Sequence, residues 1–314
     1  MSYSSGTASW VRASAPGKLM LLGEHAVLRG QPALVCAIDR RLRLRARRRA
    51  DGRVVVRSDL GELDLPLPDL RPEPPFAFLA TVVRRFTGRL DGGVELVVES
   101  DFSDEVGFGS SSAVTVCAVA ALSALSGENA DQDFVFREAL EVVRSVQQRA
   151  SGADVAASVY GGTLLYSAEE GVLGRSARDF PLVAVYSGSK MPTPEVIRRV
   201  EGRIAGRERI FDPIFEAMGA SSTAAFEALS AGNYAEVGEI LRINQGLMDA
   251  LGVSNRALWE IVQRLQAEPG ILGTKISGSG LGDCVVALGE IPGGVSLGYP
   301  IFRLRPSNQG VLLD

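Results

Sequence analysis

Alternation of apolar and polar residues predicts β-structure in the first third of the chain. Between residues 41 and 47, arginine alternates with leucine or alanine, so a strand here would have one apolar face and one charged face. Asp51-Gly52 is a turn signal, and the segment RVVVRS after it is predicted to be the return strand of a hairpin. A further strand is predicted in GGVELVVESD.

Helical periodicity and short apolar runs dominate the rest of the chain. Residues 113–125 are apolar nearly all round, which predicts a buried helix. Further helices are predicted at about 132–148, 193–205, 211–231, 234–247 and 255–266, and strands in PLVAVYSGS, GTKISGSG, DCVVALG and GYPIFRLRP. This mixed order predicts an α+β fold. A composition shift near AEEGVLGRSARDF predicts two domains, residues 1–178 and 179–314.

Composition and charge narrow the class of protein. The chain has 314 residues, 46% of them hydrophobic, and a net charge of −4, which gives no general attraction to nucleic acid or anionic membranes. Three scattered cysteines and one histidine argue against a Cys/His zinc site or a disulfide framework. No apolar leader begins the chain, and residues 113–125 are fewer than the roughly 20 that span a bilayer. A cytoplasmic protein without a membrane partner is therefore expected.

Seven arginines between Arg40 and Arg49 raise the alternative of nucleic-acid binding. Such binding would weaken steeply with salt. No aromatic residues are interleaved to stack on bases, which favours the solvated face of a β-sheet. We therefore expect no nucleic-acid partner.

The segment GFGSSS at residues 107–112 has the residues of a phosphate-binding loop. Gly107 and Gly109 let the backbone approach a ligand closely, and the following helix directs its free N–H groups and positive dipole end at the loop. The hydroxyls of Ser110, Ser111 and Ser112 are available as ligands, and a hydroxyl beside phosphates also suits Mg²⁺. The alternative is that these serines only cap a buried helix.

Two further segments contain charged residues beside glycines. In APGKLMLLGEHAVL, Lys18 is suited to neutralising phosphate charge and His25 to hydrogen bonding a substrate, but both also fit ordinary structural roles. In ASGADVAASVYGG, Asp154 is suited to act as a general base or to cap a short helix. A third glycine-rich segment, GTKISGSGLGD, offers more backbone N–H groups or an ordinary turn. No GxSxG elbow is present, which argues against a serine hydrolase.

Taken in order, the segments APGK…GEHAVL, GFGSSS, SGAD…GG and KISGSGLG resemble the GHMP superfamily of small-molecule kinases over most of the chain. Within it, the mevalonate kinases are the most similar group. The first segment includes their histidine after glutamate, and SGSKMPTPEVIRRV resembles their lysine-proline-threonine turn into a helix. INQGLMDALGVSNRALWEIV resembles their asparagine-containing helix.

The resemblance implies a fold and a reaction. The fold would be a two-domain GHMP kinase fold, with an N-terminal domain like the second domain of ribosomal protein S5 and a ferredoxin-like C-terminal domain. The reaction would move the γ-phosphoryl group of ATP to the 5-hydroxyl of mevalonate, with Mg²⁺ present. The implied catalytic residues are Asp154 and Lys18, and the implied Mg²⁺ ligand is Ser111. The implied substrate contacts are Glu24, His25, Thr193, Gly278 and Ser279, and the implied ATP contacts are Gly107, Gly109, Ser110, Ser111 and Ser112.

Some positions depart from the family pattern. The family carries a second Mg²⁺ ligand, a glutamate eleven residues before the aspartate, where this chain has Val143, and the nearby Glu141 lies on another helix face. GSGLGD replaces a glycine run, and the segments SGADVAASVYGG and GDC are similar to phosphomevalonate kinases. Phosphomevalonate kinase is therefore the alternative, followed by a diphosphomevalonate-type decarboxylase and a non-catalytic ligand sensor. A homodimer is implied only by family habit.

Overall fold

Two β-sheets organise the computed structural model of this protein, which describes residues 9–147 and 149–314. The first sheet has the order β12-β1-β2-β5-β3-β4, with β6 paired to β2 and β7 paired to β6. The second has the order β11-β8-β10-β9 and is antiparallel. The strands are β1 (Val11–Leu22), β2 (Ala33–Arg49), β3 (Arg53–Ser58), β4 (Gly61–Pro66), β5 (Gly93–Ser100), β6 (Thr163–Ser167), β7 (Gly171–Ser176), β8 (Leu182–Tyr186), β9 (Ile271–Ser277), β10 (Cys284–Gly289), β11 (Ile301–Leu304) and β12 (Leu312–Leu313).

Helices cover both sheets, and the predicted α+β class is confirmed. They are α1 (Ala77–Phe86), α2 (Ser110–Leu125), α3 (Gln132–Gln147), α4 (Ala153–Tyr160), α5 (Thr193–Ile204), α6 (Glu208–Ala231), α7 (Tyr234–Leu251) and α8 (Arg256–Gln266). Helix α2 packs on β1 and β2 and contacts α1, α3 and α4, so it is buried on nearly every side, as its sequence predicts. Within the described ranges, no helix has the length and apolarity needed to cross a membrane.

The alternating residues of β2 separate as predicted. Its leucines face the core, and Arg43, Arg45 and Arg47 lie on the outer face near acidic residues of β5 and the residue just after it. Arg43 contacts Asp101 at 2.6 Å, just beyond β5, and Arg47 contacts Glu95 at 2.5 Å. These cross-strand ion pairs make the arginine stripe part of a charge-balanced sheet face.

The predicted hairpin between β2 and β3 is wrong in its pairing. Both strands form, but β5 lies between them, antiparallel to β2 and parallel to β3. Two glycines make room for this insertion: a Cβ at Gly92 would lie 2.5 Å from the carbonyl oxygen of Arg49, and one at Gly93 would overlap the backbone of Arg53. The Asp51-Gly52 turn therefore spans a gap that another strand fills.

The segment predicted to contain the domain boundary is partly a strand. β7 pairs with β6 in the first sheet, and β8 then begins the second sheet. The division after residue 178 stays a prediction. The final strand β12, which that division assigns to the second domain, pairs with β1 in the first sheet. A two-residue strand carries no periodicity that a sequence could reveal.

Contacts between the two sheets fix the walls of a cleft. The Ser277 hydroxyl at the end of β9 donates to the carbonyl oxygen of Met20 in β1 at 2.9 Å. The Lys190 ammonium, between β8 and α5, donates to the carbonyl oxygen of Asp104 at 2.8 Å. Residues distant in sequence are thereby held around the start of α2.

Candidate active site

The start of α2 is arranged to receive an anion. The helix begins after Gly109, which has φ 77°, and no side chain among the described residues caps it. The serine hydroxyls therefore do not occupy the first N–H groups of the helix, contrary to the capping alternative. Those N–H groups and the positive dipole end remain free for a ligand at the loop.

Lys18 and Asp154 form an ion pair beside this loop. Lys18 lies in β1, its backbone N–H donates to the carbonyl oxygen of Phe108 at 2.8 Å, and its side chain is 9% exposed. The Lys18 Nζ is 3.1 Å from Asp154 Oδ2. A Cβ at Gly109 would lie 2.8 Å from the Lys18 stem, so only glycine lets the lysine cross the loop here. Asp154 is in the first turn of α4, whose N-cap is Gly152, so it does not cap that helix.

A second ion pair joins the cleft residue Glu24 to a fully buried lysine. Lys275 of β9 contacts Glu24 Oε1 at 2.5 Å, with side chains 0% and 2% exposed. Burial lowers the pKa of Lys275, and the Glu24 carboxylate opposes that change. The second carboxylate oxygen, Glu24 Oε2, is buried without a partner. One oxygen of Glu24 is thus fixed by the lysine, and the other is available to a ligand.

His25 follows in a backbone conformation that is rare for non-glycine residues, with φ 62°. Its Nε2 is 2.9 Å from the carbonyl oxygen of Ser279. Because a carbonyl can only accept, Nε2 carries a proton and donates it to this bond. Burial lowers the pKa of His25, so the ring is neutral near pH 7 and Nδ1 is an acceptor.

The neutral state of His25 gives a pH prediction. Because the folded-state pKa lies below the ordinary value of 6.5, the folded chain binds fewer protons than the unfolded chain as pH falls through 6.5. The stability that depends on neutral His25 is therefore complete above pH 6.5 and declines below it, by at most about 1.4 kcal/mol per pH unit. Urea unfolding of wild type and His25→Asn from pH 5.5 to 8 measures this, and a pH-independent difference between them would contradict it.

All of the predicted site residues line one cleft of about 480 Å³. They are Lys18, Glu24, His25, Gly107, Gly109, Ser110, Ser111, Ser112, Asp154, Thr193, Gly278 and Ser279. They come from β1 and the loop after it, the loop before α2 and the first turn of α2, the first turn of α4, the start of α5 and the β9–β10 loop. Their individual roles stay predictions.

A second cavity, of about 470 Å³, adjoins the cleft and was not predicted. The two cavities share Leu60, Pro75, Phe78, Asp104, Ser110 and Val114. The remainder of its lining includes apolar side chains that come from β2, α1, β5 and the loop after it, namely Leu42, Phe76, Leu79, Val98 and Phe102. These residues are far apart in sequence, so no local sequence pattern predicts that they line one cavity.

Comparison with known proteins now identifies the family. The model described as GHMP kinases N terminal domain matches residues 77–162, and GHMP kinases C terminal matches residues 225–292. The mevalonate kinase of Archaeoglobus fulgidus is 35% identical, covering 96% of this chain and 99% of that protein. The mevalonate kinase of Thermococcus sibiricus is 32% identical, covering 88% and 89%. The chain belongs to the GHMP kinase family.

Solved structures of GHMP kinases share this fold. L. major mevalonate kinase in complex with R-mevalonate has a TM-score of 0.80 at 23% identity, covering 99% of this chain and 100% of that chain. Lactococcus lactis galactokinase complexed with galactose has a TM-score of 0.81 at 18% identity, covering 97% and 95%. The predicted family and two-domain fold are confirmed, and the fold by itself does not select the substrate.

In this GHMP kinase, Val143 lines the cleft where the family pattern has an acid, and it is 2% exposed. Glu141 is exposed and is not among the residues that line the cleft, so it does not replace that acid. One turn after Val143, the Gln147 amide donates weakly to the Ser111 hydroxyl at 3.5 Å. The wall of the cleft formed by α3 is therefore uncharged at this point.

Residues missed by sequence reasoning include two buried charges of this GHMP kinase: Asp283, which lines the cleft, and Lys275, which pairs with the cleft residue Glu24. A lysine within the apolar strand β9 was a signal that could have been used. Burial raises the pKa of the Asp283 carboxyl, an effect that Lys190 and Lys18 partly oppose. Buried atoms without partners at the cleft are Glu24 Oε2, Ser279 Oγ and Asp283 Oδ1. Such atoms indicate a ligand site.

Proposed function

We propose that this GHMP kinase transfers the γ-phosphoryl group of ATP to the 5-hydroxyl of mevalonate. The observation that carries the proposal is the Lys18–Asp154 pair at 3.1 Å beside the uncapped start of α2. Phosphoryl transfer requires a positioned alcohol and charge stabilisation, and this arrangement offers both. Relatives at 30–35% identity over most of the chain are mevalonate kinases, which supports mevalonate as the acceptor.

In the proposed reaction, the 5-hydroxyl oxygen forms a bond to the γ-phosphorus, and the bond from phosphorus to the β,γ-bridging oxygen breaks to release ADP. The hydroxyl proton goes to the Asp154 carboxylate. The Lys18 ammonium, held against the loop, stabilises negative charge on the transferring group and the reacting oxygen. The close approach of Lys18 and Asp154 is therefore consistent with the catalytic roles predicted for them.

ATP is proposed to occupy the two adjoining cavities. Its phosphates would lie on residues 107–112, where the helix end and glycine loop favour anions. Its base would lie in the second cavity, whose lining combines apolar side chains with serines and aspartates. The predicted domains, residues 1–178 and 179–314, would face each other across this site. The shared lining residues Ser110 and Val114 would then lie between phosphates and base.

The residues of the cleft suit a Mg²⁺ ion that depends largely on nucleotide oxygens. Within the described residues, no group of three or more His, Cys, Asp and Glu side chains is arranged to hold a metal. Mg²⁺ bound with nucleotides usually takes one or two protein oxygens plus phosphates, and the Ser111 hydroxyl and the unpartnered Asp283 oxygen are of that kind. When bound, the ion neutralises charge on the β- and γ-phosphates.

Mevalonate is proposed to bind at the inner end of the cleft. The free oxygen of Glu24 accepts from a substrate hydroxyl, and the Ser279 hydroxyl offers both a donor and an acceptor. His25, Thr193 and Gly278 complete this wall of the cleft.

Phosphomevalonate kinase remains the second candidate because of two basic side chains. Lys190 and Arg149 line the cleft, and a phosphorylated acceptor would need such groups. Arg149 also pairs with Glu201, and Lys190 donates to the carbonyl oxygen of Asp104, so neither is dedicated to a ligand. This favours the unphosphorylated acceptor.

Coupled ADP release with Mg·ATP tests the proposal directly. We expect turnover with mevalonate and at least about tenfold less with 5-phosphomevalonate at matched concentrations, because the cleft holds few uncommitted cations. The variant Asp179→Asn, which removes a surface partner of Arg305, serves as a control with unchanged activity. ADP release from phosphomevalonate alone would transfer the proposal to the second candidate, and release from neither would refute both.

A cytoplasmic location and a homodimer belong to the same proposal. Cys36, Cys117 and Cys284 are free and buried, which suits a reducing compartment. Size-exclusion chromatography with light scattering tests the dimer.

A further inference from the structure

Asp283 is a buried acid at the junction of two glycine-rich loops. It lies immediately before β10 and has φ 61°, a conformation that aspartate tolerates better than most residues. Its backbone N–H donates to the carbonyl oxygen of Ser189 at 2.8 Å, and its own carbonyl oxygen accepts from the N–H of Ser187 at 2.9 Å. The position of the side chain is therefore fixed by the loop between β8 and α5.

The Asp283 carboxyl lies between the phosphate loop and the substrate wall. A Cβ at Gly107 would be 3.3 Å from Asp283 Oδ1, and one at Gly278 would be 3.6 Å from Asp283 Oδ2. The residue is 7% exposed, lines the cleft, and its Oδ1 is buried without a hydrogen-bond partner. A buried carboxyl oxygen without a hydrogen-bond partner destabilises the fold unless a ligand in the cleft supplies that partner.

The nearby lysines do not supply the missing partner of Asp283 Oδ1. Lys18 pairs with Asp154, and the Lys190 ammonium donates to the carbonyl oxygen of Asp104. When ATP phosphates occupy the loop at Gly107, a carboxylate at this distance would be repelled unless a cation lay between them. Mg²⁺ prefers such a pair of oxygen ligands, one from the protein and one from phosphate.

We propose that the Asp283 carboxylate is a protein ligand of the divalent cation that accompanies ATP, and that it supplies from the β9–β10 loop the acid that α3 lacks at Val143. This inference rests on the proposed ATP-dependent kinase activity. The negative charge that the family pattern places on the α3 wall would thus come from the opposite side of the cleft. Ser111 and Asp283 would approach the ion from the two sequence halves of the protein.

Metal binding tests the proposal without any turnover. Mn²⁺ is titrated into the full chain with AMPPNP, a non-hydrolysable ATP analogue, and free Mn²⁺ is followed by electron paramagnetic resonance. Asp283→Asn keeps the shape and the tolerance of positive φ but removes the charge. We expect Mn²⁺ to bind the Asn variant at least about tenfold more weakly than wild type. Glu105→Gln removes an exposed charge near the same loop and is the matched control, with unchanged Mn²⁺ affinity.

Two results would overturn the proposal. One is Mn²⁺ affinity in Asp283→Asn equal to that of wild type, and the other is an equal loss in Glu105→Gln, which would indicate a general charge effect. If Mn²⁺ affinity is unchanged while the KM for mevalonate rises, Asp283 accepts a substrate hydroxyl instead. Asp283→Gly, which relieves the positive φ, guards against misfolding and is expected to lose Mn²⁺ affinity as the Asn variant does.

The experiments test the Asp283 metal ligand and the mevalonate acceptor independently of each other. Mn²⁺ binding with AMPPNP involves no acceptor, so a weaker Asn variant supports the metal ligand even if mevalonate is not phosphorylated. Turnover of mevalonate together with unchanged Mn²⁺ affinity in the Asn variant supports the kinase and refutes the metal ligand.

Discussion

Replacing Asp154 with asparagine is expected to lower kcat about 10²- to 10⁴-fold and to leave ATP affinity nearly unchanged. Asparagine has the same shape but cannot accept the hydroxyl proton. The variant also removes the negative partner of Lys18, whose Nζ lies 3.1 Å from the carboxylate. The helix end and glycine loop that favour phosphates are untouched, so ground-state binding of ATP persists.

Steady-state kinetics with mevalonate and equilibrium binding of AMPPNP separate these effects. Asp179→Asn, a surface aspartate paired with Arg305, controls for the loss of a carboxylate elsewhere. Near-normal turnover in Asp154→Asn would exclude it as the general base. A parallel loss of nucleotide affinity would instead assign it to ATP binding.

Replacing Lys275 with methionine is expected to lower the free energy of unfolding by about 3–5 kcal/mol. The substitution keeps the length of the side chain but removes its charge, which leaves the buried Glu24 carboxylate without a counterion. Lys275 lies in the second sheet and Glu24 follows the first strand of the other sheet, so the loss weakens a contact between the two halves.

Urea unfolding of a double-mutant cycle measures this coupling. The pair Lys275→Met with Glu24→Gln removes both charges and is expected to recover part of the stability lost by the single lysine variant. A matched surface control is Arg305→Met, whose ion pairs are about half exposed and contribute little. A loss below about 1 kcal/mol in Lys275→Met would show that the buried pair does not stabilise the fold.

The candidate site could be predicted from sequence because its main features are local. A glycine-serine run before an apolar helix specifies an anion site through the backbone alone, and the structure has that helix start uncapped. Lys18 and Asp154 were each ambiguous in isolation, and the structure brings them to 3.1 Å. The order of four short segments, rather than any one of them, indicated the family.

Features made from distant residues could not be read from the sequence. The second cavity is lined by side chains from β2, α1, β5 and the loops beside them, and these residues come together only when the chain folds. The hairpin prediction failed for the same reason: Asp51-Gly52 is a valid local turn signal, but Gly92 and Gly93 admit β5 between the flanking strands. The unpartnered oxygen of Asp283 likewise depends on what surrounds it in space.

The insertion of β5 also constrains the route by which the chain folds. Strands β2 and β3 are close in sequence, yet they do not pair with each other. Each forms its backbone hydrogen bonds on this side with β5. Pairing of β5 with β3 closes a long loop that contains β4 and α1. Closing such a loop before any pairing is gained slows folding, so we expect the rate-limiting step to be the addition of β5 and not the formation of the turn at Gly52.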